Sequence, residues 1–236
     1  MGSDSTSANP IKFKPTAKLI MWGFDFIFAL VSRVRLVGKE NIPMQGAVLV
    51  VTNHLSYADP PLIYITLRRP DMVVLAADTY KKNPFYKWLV NSVGGVWINR
   101  GAGDRAALKV SLEVLKQGKL IGLAPEGTRS KYTHALQVGK TGAAFLASKA
   151  GVPILPVGIS NTEKAWEEIK HLRRPTLSIA YGPVFTLPPT ERDTKETLEK
   201  NTHEIMCRIA ALIPDEYHGV YKGEARIKEI RETGGF

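Results

Sequence analysis

The sequence predicts an α/β fold: a mostly parallel or mixed central sheet flanked by helices, with an N-terminal membrane-associating helical segment. Three observations predict it. Short, continuous apolar runs recur along the chain with no polar residue on alternate positions, which marks strands covered on both faces. Between them lie segments of helical periodicity with recognisable start and stop residues. With 236 residues, 44% of them apolar, the chain can bury one substantial core.

Taken in order, residues 1 to 10 (MGSDSTSANP) read as a polar tail. It lacks a basic start running directly into an apolar stretch, so no secretory leader is expected, although MGSDST fits the short N-myristoylation pattern. The run LIMWGFDFIFALV, residues 19 to 31, is apolar apart from Asp25. It is too short to cross a hydrocarbon layer of roughly 30 Å, which needs about 20 residues. Basic residues flank it, Lys12, Lys14 and Lys18 before and Arg33 and Arg35 after, and it carries Trp22, Phe24, Phe26 and Phe28. That pattern describes a helix lying in the interface of an anionic membrane, docked through those four aromatics; an ordinary core helix is the other reading. The expected division is residues 1–35, tail and docking helix, and residues 36–236, catalytic domain with C-terminal helices.

Strands are expected at AVLVV (47–51), MVVLAA (72–77), GVWI (95–98), LIGLA (120–124), PILPVGI (153–159) and LSIAYG (177–182). The clearest helices are DRAALKVSLEVLKQG, with Asp104 to cap its start and Gly118 to end it, and TGAAFLASKAG, stopped by Gly151. The end, KEIRETGGF, is charged and expected to be peripheral. The single cysteine, Cys207, falls in a helical stretch as a packed thiol. It excludes an internal disulfide and a cysteine-based zinc cluster.

Thirty-two Lys and Arg against 22 Asp and Glu give a net charge of +10, which suits nucleic acid, anionic headgroups or phosphorylated substrates. The chain carries no nucleic-acid motif, and its aromatics are concentrated in the N-terminal run. No metal-ligand spacing stands out, so no metal is expected.

Three loops at strand ends carry the chemistry. The first is NHLSYADPP, residues 53 to 61. Asp59 before two prolines could be no more than a helix cap. In a continuous helix His54 and Asp59 would lie about 140° apart, so the two can meet only if the segment is a loop. Such a loop at the carboxyl end of a strand is a usual ligand site in α/β sheets. There Asp59 could fix the imidazole tautomer and favour the imidazolium that forms when His54 takes a proton. Ser56 invites a hydrolase reading, but the sequence has no G-x-S-x-G elbow.

The second loop, APEGTRSK, brings Glu126, Gly127, Thr128, Arg129, Ser130 and Lys131 together; Arg129 could hold a phosphate in a bidentate fork. A solvated charged turn is the alternative. The third, GGVWINRGAGDRAA, offers Arg100 and Arg105 as further anion contacts, joined by Lys140 near a later helix start. Its GAGDRA matches G-x-G-x-x-A, but Asp104 would face the pyrophosphate of a dinucleotide. One base, its orienting acid and several cations suggest transfer of a group onto a hydroxyl of a phosphorylated substrate.

Four blocks in this order resemble the glycerolipid acyltransferase family, specifically 1-acylglycerol-3-phosphate acyltransferases of the bacterial PlsC type: NHLSYAD (53–59) looks like N-H-x4-D, GVWINR (95–100) the second motif, EGTRS (126–130) the third and VPILPV (152–157) the fourth. The resemblance covers roughly residues 47 to 160. It implies that His54 deprotonates the free glycerol hydroxyl with Asp59 orienting it, that acyl-CoA or acyl-carrier protein (acyl-ACP) is the donor substrate, and that no acyl-enzyme and no cofactor are involved. It implies further that Arg100, Glu126, Gly127 and Arg129 line the acceptor site, with membrane lipids and a lysophospholipid as partners at the cytoplasmic face of the membrane. The family more often carries Phe-Ile-Asp or Phe-Val-Asp before the arginine of its second motif, where this chain has Trp97, Ile98 and Asn99. Other acceptors, glycerol 3-phosphate or a lyso-aminolipid, and a non-catalytic basic binding module are the rival readings.

Overall fold

A computed structural model describes residues 14–98, 104–130, 132–189 and 192–234. The myristoylation pattern, Lys12, Asn99, Arg100 and Lys131 lie outside the described residues.

The centre of the molecule is β2 (Val48–Thr52), in which every residue is buried. It pairs in parallel with β6 (Leu120–Leu123) on one side and β7 (Ile154–Ser160) on the other. Beyond β6 lies β3 (Met72–Val73), also parallel; beyond β7 lie β8 (Thr176–Tyr181), antiparallel to it, and then β1 (Arg33–Val37), parallel to β8. The sheet is therefore mixed, in the order β1-β8-β7-β2-β6-β3. The run expected as one strand over 72–77 is divided at Val74: β4 (Leu75–Ala77) leaves the main sheet and pairs in parallel with β5 (Val96–Ile98). Pro156 sits inside buried β7, where it lacks an N–H to donate. Next to β7, Ile154 bridges Phe185, and the ladder with β8 begins only at Val157.

Alternating side chains of β2 divide the core. Leu49 and Val51 join the cluster with α4 (Asp104–Lys116), α5 (Gly142–Ala150), α7 (Lys195–Ala211) and α8 (Ala225–Thr233). Val48 and Val50 face the other cluster, with α1 (Pro15–Val31), α2 (Asp59–Leu67) and the start of α6 (Ala165–Lys170). Gly158 in β7 is required by close packing, because a Cβ there would lie 2.5 Å from that of Leu212 just after α7. Cys207 is fully buried in α7, and burial pushes its thiol up to about 12, which keeps it protonated.

Several expectations change. The expected 35/36 division falls inside β1, a strand hidden in the sequence because Arg33 and Arg35 read as the basic flank of the preceding helix. Arg33, Val34, Arg35 and Val37 are all exposed, as suits a charged edge strand. Helix α1 has two faces. Phe28 is 8% exposed and belongs to the core, and Phe24 packs against the same cluster. Leu19, Trp22, Phe26, Ile27 and Leu30 are exposed, so only Trp22 and Phe26 of the four aromatics stand on the outer face. Asp25, the one acid in the run, pairs with Arg68 at 2.8 Å. The C-terminal segment is not peripheral: Ile227 and Ile230 of α8 are buried in the core with α7 residues. Arg69, unmarked in the sequence, has no exposed side-chain surface. Its guanidinium donates to Asp71 and to the carbonyls of Pro43 and Gly46, tying the end of α2 to the loop before β2.

Candidate active site

Strand β2 ends at Thr52 and α2 begins at Asp59, so residues 53 to 58 must turn the chain from sheet to helix. Asn53 starts the turn. Its Nδ2 donates to the Ile159 carbonyl and its Oδ1 accepts the Ile159 N–H, both at 2.8 Å, so a buried side-chain amide extends the β2–β7 pairing by one step.

Asp59 closes the turn. Its Oδ2 accepts the N–H groups of Leu55 at 2.7 Å and Ser56 at 2.8 Å, and Nδ1 of His54 lies 2.7 Å away. Its Oδ1 accepts the hydroxyls of Ser56 at 3.3 Å and Thr162 at 2.5 Å. Asp59 is therefore not the cap of α2; it is the first helical residue and makes no cap bond to the following amides. The reason is chemical: Pro60 and Pro61 have no N–H to offer, so the carboxylate is free to reach back. With Nδ1 donating to a carboxylate, the neutral ring carries its lone pair on Nε2. The side chain of His54 is 27% exposed and that of Asp59 2%, so the base is reachable and its orienting acid is sealed.

The loop after β6 is stitched to this turn. Ser130 N–H donates to the His54 carbonyl at 2.9 Å, and His54 N–H donates to Glu126 Oε1 at 3.3 Å. Glu126 Oε2 accepts the Ser130 hydroxyl at 2.8 Å and the Gln137 N–H at 3.0 Å. Burial raises the Glu126 carboxyl above its usual 4.5, with those donors pulling the other way. Glu126 and Ser130, expected among the substrate contacts, are both buried and turned inward, where they hold the backbone of His54.

Gly127 and Thr128 are exposed at the tip of this loop. Gly127 has φ +73°, and a Cβ there would lie 2.9 Å from Lys140 Nζ, so the glycine lets the lysine side chain cross the loop. Half-buried Arg129 stacks on Tyr57 of the first loop, its guanidinium carbon 3.6 Å from the ring centroid. Arg105 is exposed in the first turn of α4. Arg100 lies outside the described residues, so its position relative to these cations is not described.

Two residues of the site, and the strand that supports it, were missed in the sequence. Thr162, 103 positions from Asp59, and Asn53's partner strand could not be seen from local spacing. Tyr57 could have been noticed as an aromatic inside the first motif. Two further histidines have acidic neighbours: His203 lies 3.5 Å from Glu224, and His218 lies 3.6 Å from Asp215.

The fold is a mixed α/β sheet whose strand-end loops carry a buttressed His–Asp pair, and the chain belongs to the Acyltransferase family, whose model matches residues 33–160. It is 33% identical over 132 residues to a 1-acyl-sn-glycerol-3-phosphate acyltransferase of Borreliella burgdorferi, covering 55% of this chain and 52% of that one. To the Helicobacter pylori protein of the same name it is 29% identical over 163 residues, covering 66% and 68%. The crystal structure of the 1-acyl-sn-glycerophosphate acyltransferase PlsC from Thermotoga maritima superposes with a TM-score of 0.63 at 28% identity, covering 80% of this chain and 76% of that one. The match spans about half the length of the Borreliella relative.

Proposed function

We propose that this protein transfers a fatty acyl group from acyl-CoA or acyl-carrier protein to the sn-2 hydroxyl of 1-acylglycerol 3-phosphate, giving phosphatidic acid. The observation that carries the reading is the 2.7 Å contact of His54 with an aspartate that is 2% exposed and already holds two backbone amides. His54 Nε2 takes the hydroxyl proton as the oxygen attacks the thioester carbon. The tetrahedral intermediate then collapses, the C–S bond breaks, and the imidazolium returns the proton to the departing thiolate. Asp59 steadies the imidazolium.

Direct transfer without an acyl-enzyme is supported by the state of the nearby hydroxyls: Ser56 and Ser130 each donate to a carboxylate, Asp59 and Glu126. Arg129 and Lys140, with Arg100 and Arg105, take the acceptor's phosphate, and Gly127 and Thr128 leave room for it to approach. Lipid substrates call for a site that opens at a membrane, and the exposed apolar face of α1 supports docking there as a peripheral protein; the face in this reading is the cytoplasmic one. No helix among the described residues is long and apolar enough to cross a membrane.

One observation favours a second acceptor: Trp97 and Asn99 depart from the family's second motif, and the Trp97 indole donates to Asn91 at 3.0 Å. Lysophosphatidic acid, glycerol 3-phosphate and lyso-aminolipids should therefore be assayed together. The first experiment follows thiol release from palmitoyl-CoA in detergent, with and without lysophosphatidic acid. Release that requires the acceptor and is lost in His54→Ala supports the proposal; release without acceptor makes the protein a thioesterase.

A further inference from the structure

Ten consecutive residues, 79 to 88 (TYKKNPFYKW), are exposed, and four of them are aromatic. They form the short 3-10 turn Asp78–Lys82 and the first half of α3 (Pro84–Ser92). Phe85 is 59% exposed, Trp88 50%, Tyr86 42% and Tyr80 38%. Such rings ordinarily bury most of their area. Here the fold holds them out. The Asn83 side chain caps α3 by accepting the N–H groups of Phe85 and Tyr86, and buried Val90, one turn beyond Tyr86, anchors the helix in the protein.

The rings touch one another in sequence. Tyr80 and Tyr86 have centroids 5.8 Å apart, Phe85 and Tyr86 5.9 Å, and Phe85 and Trp88 6.2 Å. Lys81, Lys82 and Lys87, all exposed, are interleaved with them. A cluster rich in Tyr and Trp, ringed by lysines, fits the headgroup region of an anionic bilayer, where the rings are half wet and each nearby cation adds attraction.

The position agrees with this. Helix α3 packs against α1, whose outer face carries the stacked pair Trp22 and Phe26, centroids 6.1 Å apart. The 3-10 turn leaves the carboxyl end of β4, which follows β3 after a single residue, and β3 runs parallel to β6 and β2, whose carboxyl ends carry the Glu126 and His54 loops. The chain thus enters the patch from the end of the main sheet that carries the catalytic loops. One interfacial helix leaves the protein free to roll about that helix; two helices that are not collinear define a plane.

We propose that the 3-10 turn and α3 form a second foot on an anionic lipid surface, beside α1, and that the two feet together turn the catalytic loops toward the lipid. The proposal rests on the reading of the protein as an enzyme of membrane-borne substrates. The test separates the two. In the full chain, Trp22→Phe, Trp97→Phe and Trp166→Phe leave Trp88 as the only indole, since the sequence has four tryptophans. A companion chain keeps only Trp22. Each is mixed with phosphatidylcholine–phosphatidylglycerol vesicles whose acyl chains carry bromine, a contact quencher.

Quenching of both indoles is the expected result. Quenching of Trp22 with Trp88 unaffected overturns the second foot and leaves membrane docking through α1 standing; quenching of neither overturns both. A Trp88 signal that responds to single-stranded DNA and not to vesicles would assign the patch to nucleic acid instead. Independently of the tryptophan changes, Lys81→Glu, Lys82→Glu and Lys87→Glu together should weaken partition onto phosphatidylglycerol vesicles by roughly tenfold or more, with turnover on detergent-dispersed substrate unchanged. Unchanged partition would overturn the proposal.

Discussion

Two histidines of this protein stand beside an aspartate close in sequence, and the two pairs are built inside out relative to each other. In the His54–Asp59 pair the ring is partly exposed, the acid is sealed, and the contact is 2.7 Å. In the Asp215–His218 pair the ring is 4% exposed, the acid 72%, and the separation 3.6 Å. Asp215 is bonded instead to Arg231 at 2.8 Å, and that guanidinium holds its carboxyl below the usual range; the Nε2 of His218 lies 3.2 Å from the Ile213 carbonyl. A general base needs the opposite arrangement, a ring that substrate can reach and an acid that water cannot. The second pair has the composition of a catalytic dyad and the architecture of a structural tie between α7 and α8.

Substitution of each histidine breaks the comparison most sharply. His54→Ala should lower kcat by about 10² to 10⁴-fold with little change in melting temperature, since general-base catalysis is worth that much. His218→Ala should leave kcat within about twofold and lower the melting temperature by several degrees, because a buried ring and its contacts are removed. Steady-state assays and thermal melts on the two variants decide it, and equal losses of activity would abolish the distinction.

The next effect concerns the seal on the acid. The Thr162 hydroxyl donates to Asp59 Oδ1, a bond to a charged acceptor inside the protein. Thr162→Val should lower kcat by about tenfold with the acceptor KM unchanged, and Thr162→Ser should restore it. A rise in KM alone would place Thr162 in substrate binding rather than in positioning Asp59.

How much of this was legible in the sequence follows from distance along the chain. The first and second loops were visible because each follows an apolar run directly and gathers its polar residues within nine positions. Glycines ended helices where expected: Gly118 and Gly151 both have positive φ. The supports of the site were invisible because they arrive from far away, Thr162 over 103 positions and the Ile159 backbone over 106. Direction was invisible too. Glu126 and Arg129 are neighbours in one motif, yet one turns inward to the His54 amide and the other stacks on an exposed tyrosine. In α1 the aromatics were plain in the sequence, but only packing separates Phe28, in the core, from Trp22, on the surface. The aromatics are not confined to that run: Tyr80, Phe85, Tyr86 and Trp88, interleaved with lysines, stand out as a patch only once their exposure is seen.

Glu126 sharpens the comparison from the side of pH. Its carboxyl titrates higher in the folded chain than its usual 4.5, burial being the main cause. Between 4.5 and the raised value the folded state holds more proton than the unfolded one, so this group's contribution to stability is full below 4.5 and is lost as pH rises through the folded value. In Glu126→Gln that dependence disappears. The stability of the wild type relative to the variant should therefore fall as pH rises from about 4.5, with a slope of at most about 1.4 kcal/mol per pH unit, and level off above the folded value. Chemical denaturation across that range measures it; a difference that grows with pH would mean that the three donors outweigh burial.

The smallest effect lies on the rim. Tyr57 is 63% exposed, and its ring lies under the Arg129 guanidinium. An exposed cation–π contact is worth about 0.5–1 kcal/mol, a factor of roughly two to five. If Tyr57 pre-orients Arg129 for a phosphate, Tyr57→Ala should raise the acceptor KM by that factor and leave kcat alone, while Tyr57→Phe, which keeps the ring face, should behave as wild type. Arg129→Ala should raise the same KM further, and adding Tyr57→Ala to it should cost nothing more, because the tyrosine then has no cation to hold. Additive losses in that double-mutant cycle would mean that the tyrosine meets the substrate itself. The rim would then hold its lipid through an aromatic face as well as through charge.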